Sequence, residues 1–428
     1  MINRNFNELL TGLLCFMLMI IPSFNIKAAE ALSLESLIQQ AIKNNPEVLA
    51  AKKRWEASKS RIPQAKSLED PTVNIKFEKI QKGTIKLDRT MPEDRIISVS
   101  QMLPFIGKLP LKGKIALIES QMYAAEYKDK ELEIINSVKN AFYDLFLNHK
   151  KTELTEENLI IMEELSKIVE VKYTTEQIEQ EEVLKINIEI AKLSNNIQNF
   201  KQERIALEEN INGIINQMPE HTLGVPVLEE KAVFNKEAKD LYSVMLDRQP
   251  ELSIFSYAIE KNKAAKDLAS RSVFPDVMTE VAFRGITSGR TGPWDLMLSF
   301  TVPFWFWSKQ RYEIKEAIAN VEEATAAYEA MKNKAFSQVK ALTVKIQIAK
   351  NKINLNKNNL IPLLESSLNM SLSSYRSGSG NIMRILDNQR MLIETKIEYY
   401  RALIDFNIGV SDLEKMVGMD ISEEKNEK

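Results

Sequence analysis

The chain has 428 residues, of which 13 are glycine and 14 are proline, while 44% are hydrophobic and 7% aromatic, a composition typical of long helices. Its 57 basic and 59 acidic residues leave a formal net charge of −2, so bulk charge provides no attraction to nucleic acid. With one cysteine and two histidines, the chain cannot hold a Cys/His zinc site, a haem-attachment motif or a disulfide framework.

Residues 1–29 have the parts of a secretory signal peptide. A basic start is followed by the apolar run Leu9–Ile21 and by small residues before a polar segment. The run is shorter than the roughly 20 apolar residues that span a bilayer. We therefore expect cleavage after Ala29, with Ala31 as the second choice, and this cleavage would remove Cys15. An uncleaved inner-membrane anchor is the alternative.

The rest of the chain is a tandem duplication, because landmarks recur at offsets of 199 to 204 residues. These landmarks are Asn45-Pro46 and Gln249-Pro250, Asp70-Pro71 and Phe274-Pro275, Pro104-Phe105 and Pro303-Phe304, and Tyr173 and Tyr375. The offset divides the chain into a first repeat, residues 30–228, and a second repeat, residues 229–428. Each repeat is predicted to contain a helix, a pair of strands (within 71–103 and within 275–303) and a long helical hairpin.

Long stretches without glycine or proline predict the hairpins. Residues 114–212 and 304–361 contain neither, and their apolar residues recur at alternating spacings of four and three, which is typical of coiled coils. The first hairpin is predicted to bend near Tyr173–Glu182, with two arms of about 60 residues, or about 90 Å, each. The second is predicted to bend at Tyr375–Asn381, where two glycines interrupt the helix.

Four runs alternate between apolar and polar residues, which predicts strands with the length of tilted membrane strands. The runs are Pro71–Glu78, Arg95–Leu103, Pro275–Arg284 and Trp294–Val302. The predicted lipid-facing residues are Val281, Phe283, Leu296, Leu298 and Phe300, and the predicted membrane-interface aromatics are Trp294, Trp305 and Trp307. A soluble sheet with one face on a core is the alternative. Because barrels need about eight strands or more, several copies of the chain must contribute to one barrel.

In this order of elements, the sequence resembles the TolC family of outer-membrane efflux proteins. The resemblance covers residues 32–420 and rests on the signal peptide, the duplication, the Asn-Pro-Glu type openings at Asn45 and Gln249, the Pro-Phe turns after the strands and the hairpin ends. It implies a mainly α fold with a small membrane β part: tandem-duplicated coiled-coil hairpins and four β-strands per chain, forming a trimeric 12-stranded β-barrel and an α-helical tunnel. It also implies an outer-membrane location with the tunnel in the periplasm.

The resemblance further implies a gate at the periplasmic end. In the family, the helix after the second hairpin turn carries acidic residues there; here it contains Asp387, with Arg384 one turn away, while Glu182 lies in the corresponding segment of the first hairpin. Three Asp387 carboxylates would form a cation-selective ring, which Arg384 would weaken by pairing with Asp387. The alternative is that Asp387 is a solvated residue near a turn. The turn expected to contact an adaptor consists of Ser377, Gly378, Ser379, Gly380 and Asn381.

No motif in the sequence indicates catalysis, nucleotide binding, a cofactor or a bound metal. We therefore expect a passive duct and not an enzyme, in which a homotrimer in outer-membrane lipid receives cargo from an inner-membrane pump, such as a resistance-nodulation-division transporter, through a periplasmic adaptor. A weak likeness at Leu103–Lys108 favours metal-ion efflux. The alternative is a periplasmic coiled-coil adaptor or scaffold that is not inserted in the outer membrane.

Overall fold

A computed structural model of the chain describes residues 31–78, 80, 95–228, 234, 236–285 and 292–421. The predicted signal peptide, residues 1–29, lies outside the described residues. The first repeat consists of α1 (Leu34–Asn44), α2 (Pro46–Lys66), β1 (Thr72–Phe77), β2 (Arg95–Leu103), α3 (Lys108–Thr174) and α4 (Gln180–Ile214). The second consists of α5 (Ala238–Arg248), α6 (Pro250–Ser270), β3 (Asp276–Arg284), β4 (Trp294–Thr301), α7 (Gln310–Leu355), a π-helical turn (Asn356–Leu360), α8 (Ile361–Arg376) and α9 (Ile382–Val417).

The predicted bends are confirmed, but the prediction of two equal arms in the first hairpin is wrong. Helix α3 has 67 residues, whereas the returning helix α4 has only 35. Helix α2 continues along α3 beyond the point where α4 ends, since α3 packs against both helices. The stretch without glycine or proline ends close to the end of α4. It does not show how the bend divides this stretch between α3 and α4.

Asn45 joins the two short helices end to end. Its side-chain oxygen accepts hydrogen bonds from the backbone N–H groups of Glu47 (2.8 Å) and Val48 (3.3 Å), so it caps α2, and Pro46 occupies the first helical position. The Asn45 amide nitrogen donates to the backbone oxygen of Ile214 at 2.9 Å, at the end of α4. The Asn-Pro landmark is therefore the joint at which α2 and α4 meet beside α3.

The part of the long helix that leads to the hairpin end contains one residue more in the second repeat than in the first. Val138-Lys139 corresponds to Val339-Lys340 at an offset of 201, whereas Tyr173 corresponds to Tyr375 at an offset of 202. Between these landmarks, the four-and-three spacing of the inward-facing residues is broken by a step of five, from Asn356 to Ile361. This step coincides with the π-helical turn, whose wider ring absorbs an extra residue inside an α-helix.

The four strands form one antiparallel sheet in the order β1-β2-β3-β4, so the strand predictions are confirmed to within one residue at each end. The register places apolar side chains in rows across all four strands. One row is Val73, Val99, Val281 and Leu296, and the next is Ile75, Ile97, Phe283 and Trp294. Within the described part of the chain, β1 and β4 are the two edges of the sheet.

Three apolar clusters hold the helices together. One lies among α1, α3, α4 and α9, the second among α5, α6, α7 and α9, and the third at the hairpin ends, among α3, α4, α8 and α9. None of the helices in the described ranges combines the length and the apolar character needed to cross a membrane.

Candidate functional site at the hairpin ends and the sheet

The two hairpin turns close by different means. In the second turn, Gly378 adopts a left-handed conformation (φ +82°), and the side-chain oxygen of Asn381 accepts a hydrogen bond from the backbone N–H of Met383 at 2.7 Å, which caps α9. The first turn has no glycine, and Glu176 takes the left-handed position instead (φ +58°). An L-residue with a Cβ is strained in this region, so the first turn forms at a cost that the second avoids.

Tyr375 connects the ends of the two hairpins. Its side chain is only 2% exposed, and its hydroxyl donates to the Glu182 carboxylate at 3.3 Å. The Lys172 ammonium donates to the backbone oxygen of Tyr375 at 2.6 Å and lies 4.1 Å from the centre of its ring. Burial, reinforced by the negative charge of Glu182, raises the pKa of Tyr375 to about 12.

A cleft of about 640 Å³ separates the two turns. It brings the predicted residues Glu182, Gly378, Gly380 and Asn381 together. Ser377 and Ser379 are both described but do not line the cleft. Their hydroxyl oxygens lie 3.2 Å apart.

Asp387 and Arg384 lie on an exposed face of α9, whose opposite face buries Ile385 and Leu386 in the cluster at the hairpin ends. Both charged residues are among those the structure describes, and no ion pair within 4.0 Å joins them, so the expected pairing is not present in the single chain. The sequence did not single out Tyr375 as a functional residue, although its recurrence after Tyr173 was a landmark of the duplication.

The predicted lipid-facing residues occupy one face of the sheet. Phe283, Leu296, Leu298 and Phe300 are exposed there, and Val281 is half-buried. The three predicted interface aromatics, Trp294, Trp305 and Trp307, are exposed as well. The opposite face carries polar residues, among them Ser98 and Asn74, which are paired in the ladder.

The junction between sheet and helices is fixed by contacts between the repeats. The Lys108 ammonium donates to the Asp276 carboxylate at 2.8 Å, and the backbone N–H of Phe105 donates to the same oxygen at 2.7 Å. The rings of Phe105 and Phe274 stack with their centres 4.4 Å apart. Phe304, which corresponds to Phe105 in the second repeat, is 74% exposed. Within the single chain, Phe304 is therefore not covered by a neighbouring ring in the way that Phe274 covers Phe105.

A buried ion pair joins the middle of α3 to the last turn of α9. Lys139 of α3 and Glu414 of α9 are 2.5 Å apart, and both side chains are less than a tenth exposed. Burial raises the pKa of Glu414, while the charge of Lys139 lowers it by a smaller amount. Sequence reasoning missed this pair, because its members are separated by most of the chain.

Two segments, residues 37–217 and 241–419, match the model of a family described as outer membrane efflux protein, so the chain belongs to that family. The two matches correspond to the two repeats. The chain is an outer-membrane channel component for efflux with its helical tunnel in the periplasm, and the alternative of an adaptor outside the outer membrane is not favoured.

Two curated proteins are similar in sequence. The cobalt-zinc-cadmium resistance protein CzcC of Cupriavidus metallidurans is 18% identical over 408 residues, which cover 93% of each chain. The outer membrane protein OprJ of Pseudomonas aeruginosa is 24% identical over 186 residues, which cover 41% of this chain and 38% of OprJ.

Solved structures share the fold. CusC superposes with a TM-score of 0.79 at 15% identity, covering 90% of this chain and 92% of its own. The open state of the MtrE outer membrane channel of Neisseria gonorrhoeae superposes with a TM-score of 0.74 at 18% identity, covering 91% and 89%. At this level of identity, the likeness concerns the fold.

Proposed function

We propose that three copies of this chain form a passive exit duct, with a closed barrel of twelve strands above a helical tunnel. The observation that carries the proposal is the four-stranded sheet, which is apolar and exposed on one face and has β1 and β4 as open edges. Unpaired backbone groups at such edges have no water to bind in a bilayer, so the edges must pair with other copies. Four strands are too few to close a barrel, and three copies supply twelve.

The hairpin ends are proposed as the periplasmic gate. The Tyr375–Glu182 hydrogen bond and the Lys172 contact hold the second hairpin against the first, which favours the closed state. Around a threefold axis, the exposed Asp387 carboxylates would form a ring that attracts cations, with Arg384 reducing its field.

The partners are proposed from the same site. A periplasmic adaptor would contact the second turn, Ser377–Asn381, and would connect the duct to an inner-membrane pump such as a resistance-nodulation-division transporter. The channel itself would perform no catalysis, because energy would come from the pump. We propose divalent transition-metal ions as cargo, because the relative that matches 93% of the chain is a cobalt-zinc-cadmium resistance protein.

Fractionation of the cell envelope, followed by mass measurement of the detergent-extracted particle, tests the duct. We expect the protein in the outer membrane at three subunits per particle. Leu298→Asp should abolish this assembly, because a charge facing lipid at mid-membrane costs about 2–4 kcal/mol for Arg or Lys and somewhat less for Asp. Met297→Asp, one residue away on the opposite face, is the matched control and should assemble. Normal trimers from Leu298→Asp would contradict the membrane-strand assignment.

Metal accumulation tests the cargo. Cells that express the chain with a cognate adaptor and metal pump should retain less cobalt, zinc or cadmium than cells that lack only the duct. Equal retention in the two strains, together with a difference in drug retention, would assign the duct to drug efflux.

A further inference from the structure

Helix α7 has an exposed face that no other part of the described chain covers. Its residues follow the four-and-three spacing of a packing stripe, and all are exposed: Tyr312, Glu316, Ala319, Glu323, Ala326 and Ala330. A second exposed face with the same kind of spacing lies on α2 and consists of Ala50, Lys53, Ala57, Ser60 and Gln64. A stripe with this spacing normally packs against another helix.

The duplication shows which helix each face should meet. In the first repeat, the residues 201 positions before the α7 stripe are buried or half-buried: Leu111, Ile115, Ile118, Met122, Ala125 and Asp129. They lie on α3, which packs along α6. At one end of this contact, Lys108 donates to the backbone oxygen of Phe274, just after α6. At the other end, the charge of Asp129 acts together with burial to raise the pKa of Glu251, near the start of α6.

Helix α6 in turn corresponds to α2 of the first repeat, at an offset of 204. The α3–α6 contact within one chain therefore has a counterpart between α7 and α2, but the two helices are not neighbours in the single chain. We propose that the α7 face packs antiparallel against the α2 face of a second copy of this chain, with Glu323 paired to Lys53 and Glu316 paired to Arg61.

The register of the seam follows from the contact within the chain. Transferring the Lys108–Phe274 hydrogen bond gives the antiparallel direction, and transferring the electrostatic contact between Asp129 and Glu251 by the two offsets places Ala330 near Glu47 of the second copy. One heptad further along, Glu323 lies beside the exposed Lys53 and its neighbour Arg54. Two heptads along, Glu316 lies beside the exposed Arg61.

The charges of the two faces are complementary in this register. Helix α2 carries Lys52, Lys53, Arg54, Lys59, Arg61 and Lys66 against only two acidic residues. Lys53 is 65% exposed, and its present partner is the neighbouring Glu56 on the same helix, a surface pair of little strength. The alanines between the charges allow the two backbones to approach closely. In contrast, a register shifted by one heptad would place Glu323 beside Glu47.

This inference rests on the proposed trimer and adds the seam that closes it. The seam also agrees with the proposed pairing of the open strand edges. A contact between α7 of one copy and α2 of another brings β4 of the first copy beside β1 of the second. The exposed turn at Phe304 would then meet the start of a neighbouring β1, as Phe105 meets Phe274 within the chain.

Disulfide crosslinking tests the seam. In a Cys15→Ser background, which has no other cysteine, the variant Ala57→Cys with Ala319→Cys should form crosslinked dimers and trimers in outer-membrane vesicles upon oxidation. The matched control, Ala57→Cys with Ala330→Cys, uses an alanine on the same α7 face about 16 Å further along, since each helical residue rises 1.5 Å. It should remain uncrosslinked.

A charge exchange tests the pairing independently. In detergent without added salt, Glu323→Lys should reduce the recovery of trimers at least several-fold. Adding Lys53→Glu should restore the recovery. Crosslinking at Ala330 and not at Ala319 would overturn the seam, and so would a Glu323→Lys defect that Lys53→Glu does not restore. Either outcome would leave the duct proposal intact, provided that the unaltered chain forms trimers of normal mass. The duct proposal is tested separately, by the subunit count of the unaltered chain and by the Leu298→Asp variant.

Discussion

The hydroxyl of Tyr375 donates a hydrogen bond to the carboxylate of Glu182 across the gap between the two hairpin ends, at 3.3 Å. The contact joins the end of α8 to the start of α4, and Lys172 adds a second contact from α3. Because the second repeat is held to the first at this point, the contact opposes separation of the two hairpin ends.

We expect Tyr375→Phe to raise the open fraction of the channel. Loss of one hydrogen bond of this kind costs about 1 kcal/mol, which corresponds to roughly a fivefold change in the ratio of open to closed ends per chain. Single-channel conductance in planar bilayers measures the ratio. Tyr173→Phe is the matched control, because Tyr173 is the counterpart in the first repeat and is 42% exposed.

An equal increase in both variants would contradict a specific role for Tyr375. The pH dependence provides a further check. A folded-state pKa of about 12, above the ordinary value of 10, means that the contact is fully stabilising below pH 10 and is lost as the pH rises towards 12. The closed fraction should therefore not change between pH 5 and pH 9 on account of Tyr375.

Asp387 and Arg384 are expected to act in opposite directions on ion selectivity. Asp387→Asn should shift the reversal potential in a salt gradient towards anions, because it removes the three carboxylates of the proposed ring in the proposed trimer. Arg384→Gln should shift it towards cations. The two residues are exposed on the same helix and not paired in the described chain, so the effects should be separable. Unchanged reversal potentials in both variants would place Asp387 outside the pore.

The elements of this fold could be predicted from the sequence because each depends on a local pattern. Strand alternation gave the bounds of β2 and β4 nearly to the residue, and the glycines at 378 and 380 marked the second turn. The contacts that carry function could not be predicted in this way. Glu182 and Tyr375 are 193 residues apart, and which of the many carboxylates meets Tyr375 depends on how α4 and α8 pack.

The lengths of the hairpin arms also depended on packing. The joint at Asn45 explains why α4 needs to be only 35 residues long, but a helix-capping asparagine before proline does not indicate which distant helix end it meets. The buried Lys139–Glu414 pair has the same character, since nothing distinguishes these residues from the surface charges around them in the sequence.

Removing Lys139 should strongly destabilise the middle of the helical region. Lys139→Met leaves the Glu414 carboxylate buried without its counter-charge, for which we expect a loss of about 3–5 kcal/mol in the free energy of unfolding. The double variant Lys139→Met with Glu414→Leu should recover most of the loss, because two apolar side chains can replace a buried pair. Chemical denaturation of the detergent-extracted protein measures both values.

The pH response of the single variant gives the sign of the effect. Burial already raises the pKa of Glu414, and loss of Lys139 removes the charge that lowers it. A carboxyl group whose folded-state pKa is raised contributes stability below its ordinary pKa of 4.5, and this contribution is lost as the pH rises. Lys139→Met should therefore recover stability upon acidification towards pH 5. A variant whose deficit did not depend on pH would indicate lost packing and not an unpaired charge.

The π-helical turn predicts an asymmetry between the repeats in their response to deletion. Removing Asn358 should convert the turn to regular α-helix, since it restores the offset of 201 found earlier in the repeats, and the inward-facing stripe from Asn356 to Tyr375 should stay in phase. Removing Glu157 from the corresponding part of α3 should rotate every later residue of that helix by about 100°. We therefore expect normal trimer yield for the first deletion and loss of the folded hairpin end, with Val169 turned out of its cluster, for the second. Equal damage from both, measured by protease resistance of the hairpin ends, would mean that the π turn is not an absorbed insertion.

If the Asn358 deletion folds but lowers the open fraction of the channel, then the turn serves as the flexible point of the second hairpin, because a π turn has weaker hydrogen bonding than the α-helix that replaces it.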